Sequence, residues 1–265
     1  MDKPFFKMTS GDGPAIVAAI HNGHYIRADL LPYMALHENE RIYEEDPYTG
    51  FLADIAETRL VAMHSRFEID LNRPKEEAIY KTPAQAWGLK VWKETPPGES
   101  TDKSFQAYEE FYAQMESLIA NKIWKYGYAI VFDLHSYNHR RDGKPAPQKL
   151  NPDVNIGYNG LDRERWAPVI DGFSEALRRS LVGGRKLDVR ENVKFRGGHF
   201  STWINKSFNN KACALAIELK KIFMDEWTGD ANEQILSDIK KALASAIRET
   251  VARADILFGK TVPAK

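Results

Sequence analysis

The sequence predicts an α/β fold with a mixed, largely parallel sheet flanked by helices on both faces. Two patterns point to it. Short apolar runs of strand length alternate with longer stretches whose apolar residues recur at helical spacing, which is the pattern of strands crossed over by helices. The strand-like runs are also apolar nearly throughout, as strands covered on both faces are. A third observation sets the domain count: across 265 residues, 43% of them hydrophobic, there is no internal repeat, low-complexity tract or linker. One domain over 1–265 is therefore expected.

In chain order, "PAIVAAIHNGH" places a buried strand over 15–20, flanked by Gly and Pro and ending at His21. "RLVAMHSRFEIDLNRP" predicts a second, in which Phe67, Ile69 and Leu71 alternate with Glu68, Asp70 and Asn72 until Pro74 stops it. "SFQAYEEFYAQMESLIANKIWKYG" reads as a helix, because Tyr108, Phe111, Met115, Leu118 and Ile119 share one face and Gly127 follows its end. It leads into "YAIVFDLHS", a third buried strand. "RWAPVIDGFSEALRRSLVGG" is the next helix, closing on Gly183 and Gly184, and "ACALAIELKKIFMDE" is the fourth strand. "NEQILSDIKKALASAIRETVARADIL" is a terminal amphipathic helix. The stretches 74–104 and 140–160 are long loops rich in Pro, Gly and Asn, of the kind that carries binding function.

Composition excludes several partners. Thirty-seven basic and 37 acidic residues leave a formal charge of +0, so no global field attracts nucleic acid or an anionic membrane. The lone Cys213 forms no internal disulfide and reads as a small buried hydrophobe. With no signal-like N-terminus and no apolar run of membrane-spanning length, a cytoplasmic protein is expected. Nothing in the pattern sets an oligomeric state.

Chemistry gathers where the apolar runs stop. "VFDLHSYNHRR" ends in Asp133 and His135, the first strand in His21 and His24, and the second holds Arg66, Asn72 and Arg73. In open α/β sheets ligands bind beyond the carboxyl ends of the strands, so these groups are expected to converge. Histidines at two separate strand ends suit zinc, or another divalent ion, held by about three protein ligands with one position open. His21 and His135 are two of them; His24, Glu45 and Asp46 remain alternatives for the third. Asp133 is expected to orient a metal-binding imidazole. Arg66 and Arg73 differ by an odd number, so they share a site only if the chain bends near 71–73; otherwise they form salt bridges with Asp70 or Glu68. Glu218 follows four apolar residues, where burial raises a carboxyl toward the range of a general base. Its other reading is an ion pair with Lys220 or Lys221.

The set formed by "HSY" after "FD", an Arg followed by Asn-Arg, and a Glu in "IEL" resembles the zinc carboxypeptidase superfamily. The chain is more closely similar to the N-formylglutamate amidohydrolase family within it, through "HNG", "EEDPYTG", "SRFEIDLNRP", "DLHS", "NPDVNIG", "FRGG" and "LAIELKKIFMDE", in order from Ile20 to Glu226. That resemblance implies a zinc exopeptidase-like (phosphorylase-hydrolase-like) fold. It implies hydrolysis of an N-acyl amino acid such as N-formyl-glutamate, with Glu218 as base, Arg66 polarising the carbonyl, and Asn72 and Arg73 gripping a carboxylate. Two features depart from the pattern. His24 stands at the superfamily's glutamate ligand position, and "HFSTW" follows "FRGG" where the family resembles Tyr-Ile-x-Arg-His, which puts His199 among the substrate-binding candidates. Two other readings of the same residues are a zinc carboxypeptidase acting on a peptide C-terminus and a non-catalytic carboxylate-binding module.

Overall fold

The computed structural model describes residues 3–140 and 144–260. Arg141, the last residue of "VFDLHSYNHRR", and the start of the second predicted loop lie outside them. The first half of the chain carries β1 (Phe6–Thr9), β2 (Ala15–Ala19), α1 (Glu38–Glu44), α2 (Thr49–Ala53), β3 (Arg59–Ala62), α3 (Gly98–Tyr126) and β4 (Ala129–Tyr137). The second carries β5 (Val154–Gly157), α4 (Ala167–Arg179), β6 (Leu181–Val182), β7 (Arg185–Lys186), β8 (Val189–Glu191), α5 (His199–Ser207), β9 (Ala212–Lys220) and α6 (Glu233–Phe258).

The described strands form a seven-stranded sheet in the order β1-β3-β2-β4-β9-β5-β8. β3, β2, β4 and β9 run parallel; β1 is antiparallel to β3 and β5 to β9, so the sheet is mixed and largely parallel, as predicted. Alternation along the two central strands sorts side chains between two cores. Phe132, Leu134, Leu215 and Ile217 face one, which α4 and α6 cover with Phe173, Leu177, Leu243 and Ile247. Val131 and Ala214 face the other, which α3 and α5 cover with Phe111, Met115, Phe200 and Ile204. Helices therefore lie on both faces.

Three sequence expectations need correction. The second strand is Arg59–Ala62, upstream of the alternating run, and the chain from Ser65 to Arg73 winds through turns. The alternation there has a different cause: Phe67 enters a small third core with Ile26 and Tyr80, Ile69 and Leu71 enter the α3 side, and Glu68 and Asp70 between them are buried too. Neither side faces water, so the period does not mark a half-buried strand. Next, the helix expected to close on Gly183 and Gly184 ends at Arg179. Those glycines, at φ +55° and +77°, form the two-residue turn of the β6–β7 hairpin, a turn that requires positive φ at both positions. Lastly, the fourth strand stops at Lys220, and the segment "KIFMDE" leaves the sheet.

Leu215, fully buried at the middle of β9, tests this core assignment. Leu215→Ala is expected to lower unfolding free energy by roughly 3 to 4 kcal/mol, read by urea or thermal denaturation. A loss below about 1 kcal/mol would mean the site collapses freely and is not close-packed.

Candidate active site

The register of β4 against β9 sets His135 opposite Glu218, and β5 sets Asn155 on the other side of Glu218. Since Phe132, Leu134, Leu215 and Ile217 face the α4 side, Asp133, His135 and Glu218 project to the opposite face at the carboxyl end of the sheet. His21 lies just beyond β2, where the chain turns. That turn depends on Gly23, where a Cβ would come within 2.1 Å of the His64 carbonyl oxygen. The turn is locked to the segment carrying Asp46: Asn22 Oδ1 accepts from Gly50 N at 2.8 Å, and Asp46 N donates to the His21 carbonyl at 3.0 Å.

One ligand atom each from His21, Asp46 and His135 lies within 4.8 Å of the others, and all three residues are buried. Asp46 Oδ2 is 3.4 Å from His21 Nδ1 and 3.0 Å from His135 Nδ1. The opposite ring nitrogens meet two further carboxylates: His21 Nε2 bonds Asp70 Oδ1 at 2.7 Å, and His135 Nε2 stands 3.0 Å from Asp133 Oδ2. The second of these is an ion-pair approach rather than an aligned hydrogen bond, since neither atom has a hydrogen-bond partner. His21 Nδ1 is likewise buried and unpartnered. Two imidazoles that each turn one nitrogen toward a common point and rest the other on a carboxylate have the arrangement of metal-binding histidines. The nitrogen, nitrogen and carboxylate donors fit a divalent cation with three protein ligands.

The electrostatics agree. Burial alone would raise Asp46, yet the hydrogen bond from His135 and the adjacent His21 imidazole outweigh it and hold the carboxyl far below its usual range. Burial would likewise lower His135, but Asp133 and Asp46 overcome it and drive the imidazole well above its ordinary value. Without a cation the cluster therefore recruits a proton to balance its carboxylates; a cation supplies the same balance.

The family model for N-formylglutamate amidohydrolase matches residues 13–224. The chain belongs to this family. The matched stretch runs from just before β2 to just past β9 and includes every residue of the cluster. Two curated relatives are N-formylglutamate deformylases: that of Pseudomonas putida is 28% identical over 169 residues, 57% of this chain and 58% of that enzyme. The enzyme of Pseudomonas aeruginosa is 24% identical over 216 residues, 75% of each chain. Among solved structures, N-formylglutamate amidohydrolase from Ralstonia eutropha JMP134 superposes with a TM-score of 0.75 at 16% identity, covering 95% of this chain and 99% of that one. A gene product of Agrobacterium tumefaciens gives 0.63 at 17% identity, over 94% of each. These two structures share the fold.

Of the three alternatives expected for the third ligand, Asp46 is the one that lies with His21 and His135 in the cluster. His24 and Glu45 do not: His24 Nδ1 is 2.5 Å from Glu45 Oε2, and Ser65 Oγ donates to the same carboxylate. Arg66, Asn72, Arg73, His199 and Glu218 all line one cavity of about 840 Å³ with the cluster. The bend required for Arg66 and Arg73 to share a site is present in the turns between them. Glu218 makes no hydrogen bond or ion pair with a described residue. Lys220 pairs with Asp153, and Lys221 donates to the carbonyls of Tyr43 and Glu45, so the ion pair expected as its other reading is not formed. Burial pushes Glu218 up to about 7. Asn72 Oδ1 accepts from Phe200 N at 3.0 Å, which leaves its NH₂ group available to donate. Desolvation keeps His199 below its usual value and so neutral near pH 7.

The sequence reading missed Asp70 as a hub and both aromatic residues beside it. Arg66 bonds Asp70 at 2.8 Å, Tyr80 OH donates to the same carboxylate, and the Trp87 ring lies 4.7 Å from the Arg66 guanidinium. Trp87 sits at φ +53°, an unusual conformation for a bulky residue, held by the turn that returns Gly88 N to the Pro83 carbonyl at 2.8 Å. The available signal was Asp70 itself, an acid between two buried aliphatics.

Metal analysis separates the alternatives. His21→Ala, His135→Ala and Asp46→Ala are expected to weaken zinc affinity by well over about 100-fold, beyond the loss typical of outer partners. His24→Ala is expected to keep stoichiometric zinc. Retention of zinc by the His135 variant, or its loss from the His24 variant, contradicts the ligand set.

Proposed function

We propose that this protein is a metal-dependent amidohydrolase that cleaves the amide bond of an N-acyl amino acid, N-formyl-glutamate first among them. The observation that carries the reading is an unpaired, half-buried carboxylate, Glu218, facing a His-Asp-His cluster in a cavity that also presents Arg66 and Arg73. A binding module has no use for a carboxyl held near 7 beside a cation site, and such a perturbed group in a cleft is a mark of catalysis. The single buried, free Cys213 fits a reducing compartment, and no helix among the described residues is long and apolar enough to cross a membrane, so we place the protein in the cytoplasm.

His21, Asp46 and His135 would hold zinc or a similar divalent ion, which when bound supplies Lewis-acid charge and lowers the pKa of water. Asp70 and Asp133 keep the two imidazoles oriented for that purpose. Glu218 accepts the proton of the attacking water on its free carboxylate and later returns it to the leaving amine. A pKa near neutrality serves both steps. Arg66 keeps its charge at every working pH. Burial opposes that charge, but Asp70 outweighs it and raises the guanidinium further. Its fixed positive end stabilises the oxyanion that forms on the carbonyl. The Asn72 NH₂ and the Arg73 guanidinium hold the carboxylate beside the scissile bond, which favours N-acyl amino acids over neutral amides.

The test is Glu218→Gln. Turnover of N-formyl-glutamate by the zinc-loaded enzyme is expected to fall by about 100-fold or more, the scale of a lost general base, with zinc content unchanged. Native-rate turnover removes Glu218 from the mechanism.

The same variant has a stability signature in the metal-free protein. Glu218 is raised above its ordinary value by burial, with Asp46 and Asp133 adding to the shift and His135 and Arg66 opposing it. A carboxyl whose folded pKa is raised contributes stability that is complete at low pH and lost as pH rises through about 7. Melting of the native metal-free protein is therefore expected to fall relative to Glu218→Gln as pH rises from about 4.5 to about 7, and to run parallel to it above that. Parallel melting curves from about pH 4.5 to about 7 contradict an unpaired carboxylate with a raised pKa.

A further inference from the structure

Five carboxylates line the cavity, those of Glu44, Asp46, Asp70, Glu77 and Glu218. The segment 194–199 contributes Lys194, Arg196 and His199 to the same cavity and carries no carboxylate of its own. The cations of this cavity are not equivalent. Arg66 is bound to Asp70 at 2.8 Å, Arg73 donates to the Gln85 carbonyl at 2.8 Å, and Lys194 Nζ is tied to Asn151 Oδ1 at 2.7 Å. Arg196 is among the residues that line the cavity, is exposed, and its guanidinium makes no hydrogen bond or ion pair with any described residue.

Its backbone, by contrast, is held firmly. The Arg196 carbonyl accepts from Asn159 N at 2.7 Å, and the buried Asn155 Oδ1 accepts from Val193 N and Lys194 N, both at 2.9 Å. At Gly157 a Cβ would come within 2.6 Å of Arg196 C, so β5 approaches this loop only because it has no side chain there. A guanidinium without a protein partner, on a backbone held in place and in a segment with no carboxylate of its own, is free to receive an anion, and its planar fork matches a carboxylate.

We propose that Arg196 reads a second carboxylate, the side-chain carboxylate of the substrate's amino acid portion, while Arg73 holds the one beside the scissile bond. This rests on the reading of the cavity as an N-acyl amino acid hydrolase site. It assigns selection of an acidic amino acid to one residue of the "FRGG" segment. Lys194 adds positive potential to that segment but keeps its own hydrogen bond to Asn151.

The experiment compares N-formyl-glutamate with N-formyl-glutamine, which has the same shape without the second charge, on the zinc-loaded enzyme. The native enzyme is expected to prefer the glutamate derivative by about 10-fold or more in kcat/KM, the worth of one charge-assisted hydrogen-bonded pair. Arg196→Gln is expected to bring that ratio near one by raising KM for the glutamate derivative, with kcat little changed. Arg196→Lys should restore part of it. Arg73→Gln is expected to raise KM for both substrates alike. A native enzyme indifferent to the second charge, or an Arg196→Gln variant that keeps the native ratio, overturns the assignment while leaving the hydrolase reading in place. Failure of the native zinc-loaded enzyme to hydrolyse either derivative overturns the hydrolase reading and the Arg196 assignment with it.

Discussion

The buried carboxylate of Asp70 is the constraint on which the arrangement at the carboxyl end of the sheet depends. It is completely inaccessible to solvent and accepts from His21 Nε2, Arg66 Nη2, the backbone N–H of Asn72 and the Tyr80 hydroxyl. Burial opposes its charge, yet Arg66 and His21 outweigh burial and hold its pKa well below the ordinary range. Through one side chain the structure fixes the orientation of the His21 imidazole, the direction of the arginine proposed for the oxyanion, and the turn that presents Asn72 and Arg73. Breaking a buried ion pair by removing one member typically costs about 3 to 5 kcal/mol, because the other charge is stranded. At Asp70 two partners, Arg66 and His21, would be stranded together.

Around this hub the fold concentrates negative charge where water is scarce. Asp46, Asp70 and Asp133 crowd two imidazoles in a space from which every one of the five side chains is nearly excluded from solvent. Such a cluster is costly in the absence of a cation, and the elevated protonation of His135 is its cheapest internal compensation. Lys221 is part of the same balance. Its buried ammonium, lowered to about 8 by burial, donates to the Tyr43 and Glu45 carbonyls and so holds the strand of chain that delivers Asp46.

How much of this was legible follows from physical locality. His21, His135 and Glu218 stand out because each ends or interrupts an apolar run, and a polar group in that position must have a partner or a purpose. The sheet class was legible for the same reason: β4 and β9 are apolar nearly throughout. The third ligand was not. Glu45 and Asp46 are neighbours, and which of them faces the histidines is set by a hydrogen bond between Asn22 and Gly50, 28 residues apart. The run from Phe67 to Leu71 misled because alternation records burial on two sides as readily as exposure on one. Asp70 was visible only as a salt-bridge partner, since nothing local reveals that Tyr80 and His21 reach the same oxygens.

His24 lies close to His21 in sequence but not in the cluster, whose carboxylate comes from Asp46, on the loop between α1 and α2. His24 instead bonds Glu45, while Arg41 donates to the His24 carbonyl at 2.8 Å and Ser65 to Glu45. This network ties the turn after β2, the end of α1 and the turn at 65 into one unit. Drawing the third ligand from a distant segment makes the site depend on that unit: the carboxylate is correctly placed only if the His21 turn and the Asp46 loop are held together. The Asn22–Gly50 bond and the Asp46-to-His21 backbone bond supply two such ties, and Lys221 holds the Asp46 segment from the other side through the Tyr43 and Glu45 carbonyls. Glycines stand at both close approaches of this turn: Gly50 where Asn22 meets the Asp46 segment, and Gly23 where the turn packs on the backbone of Met63 and His64.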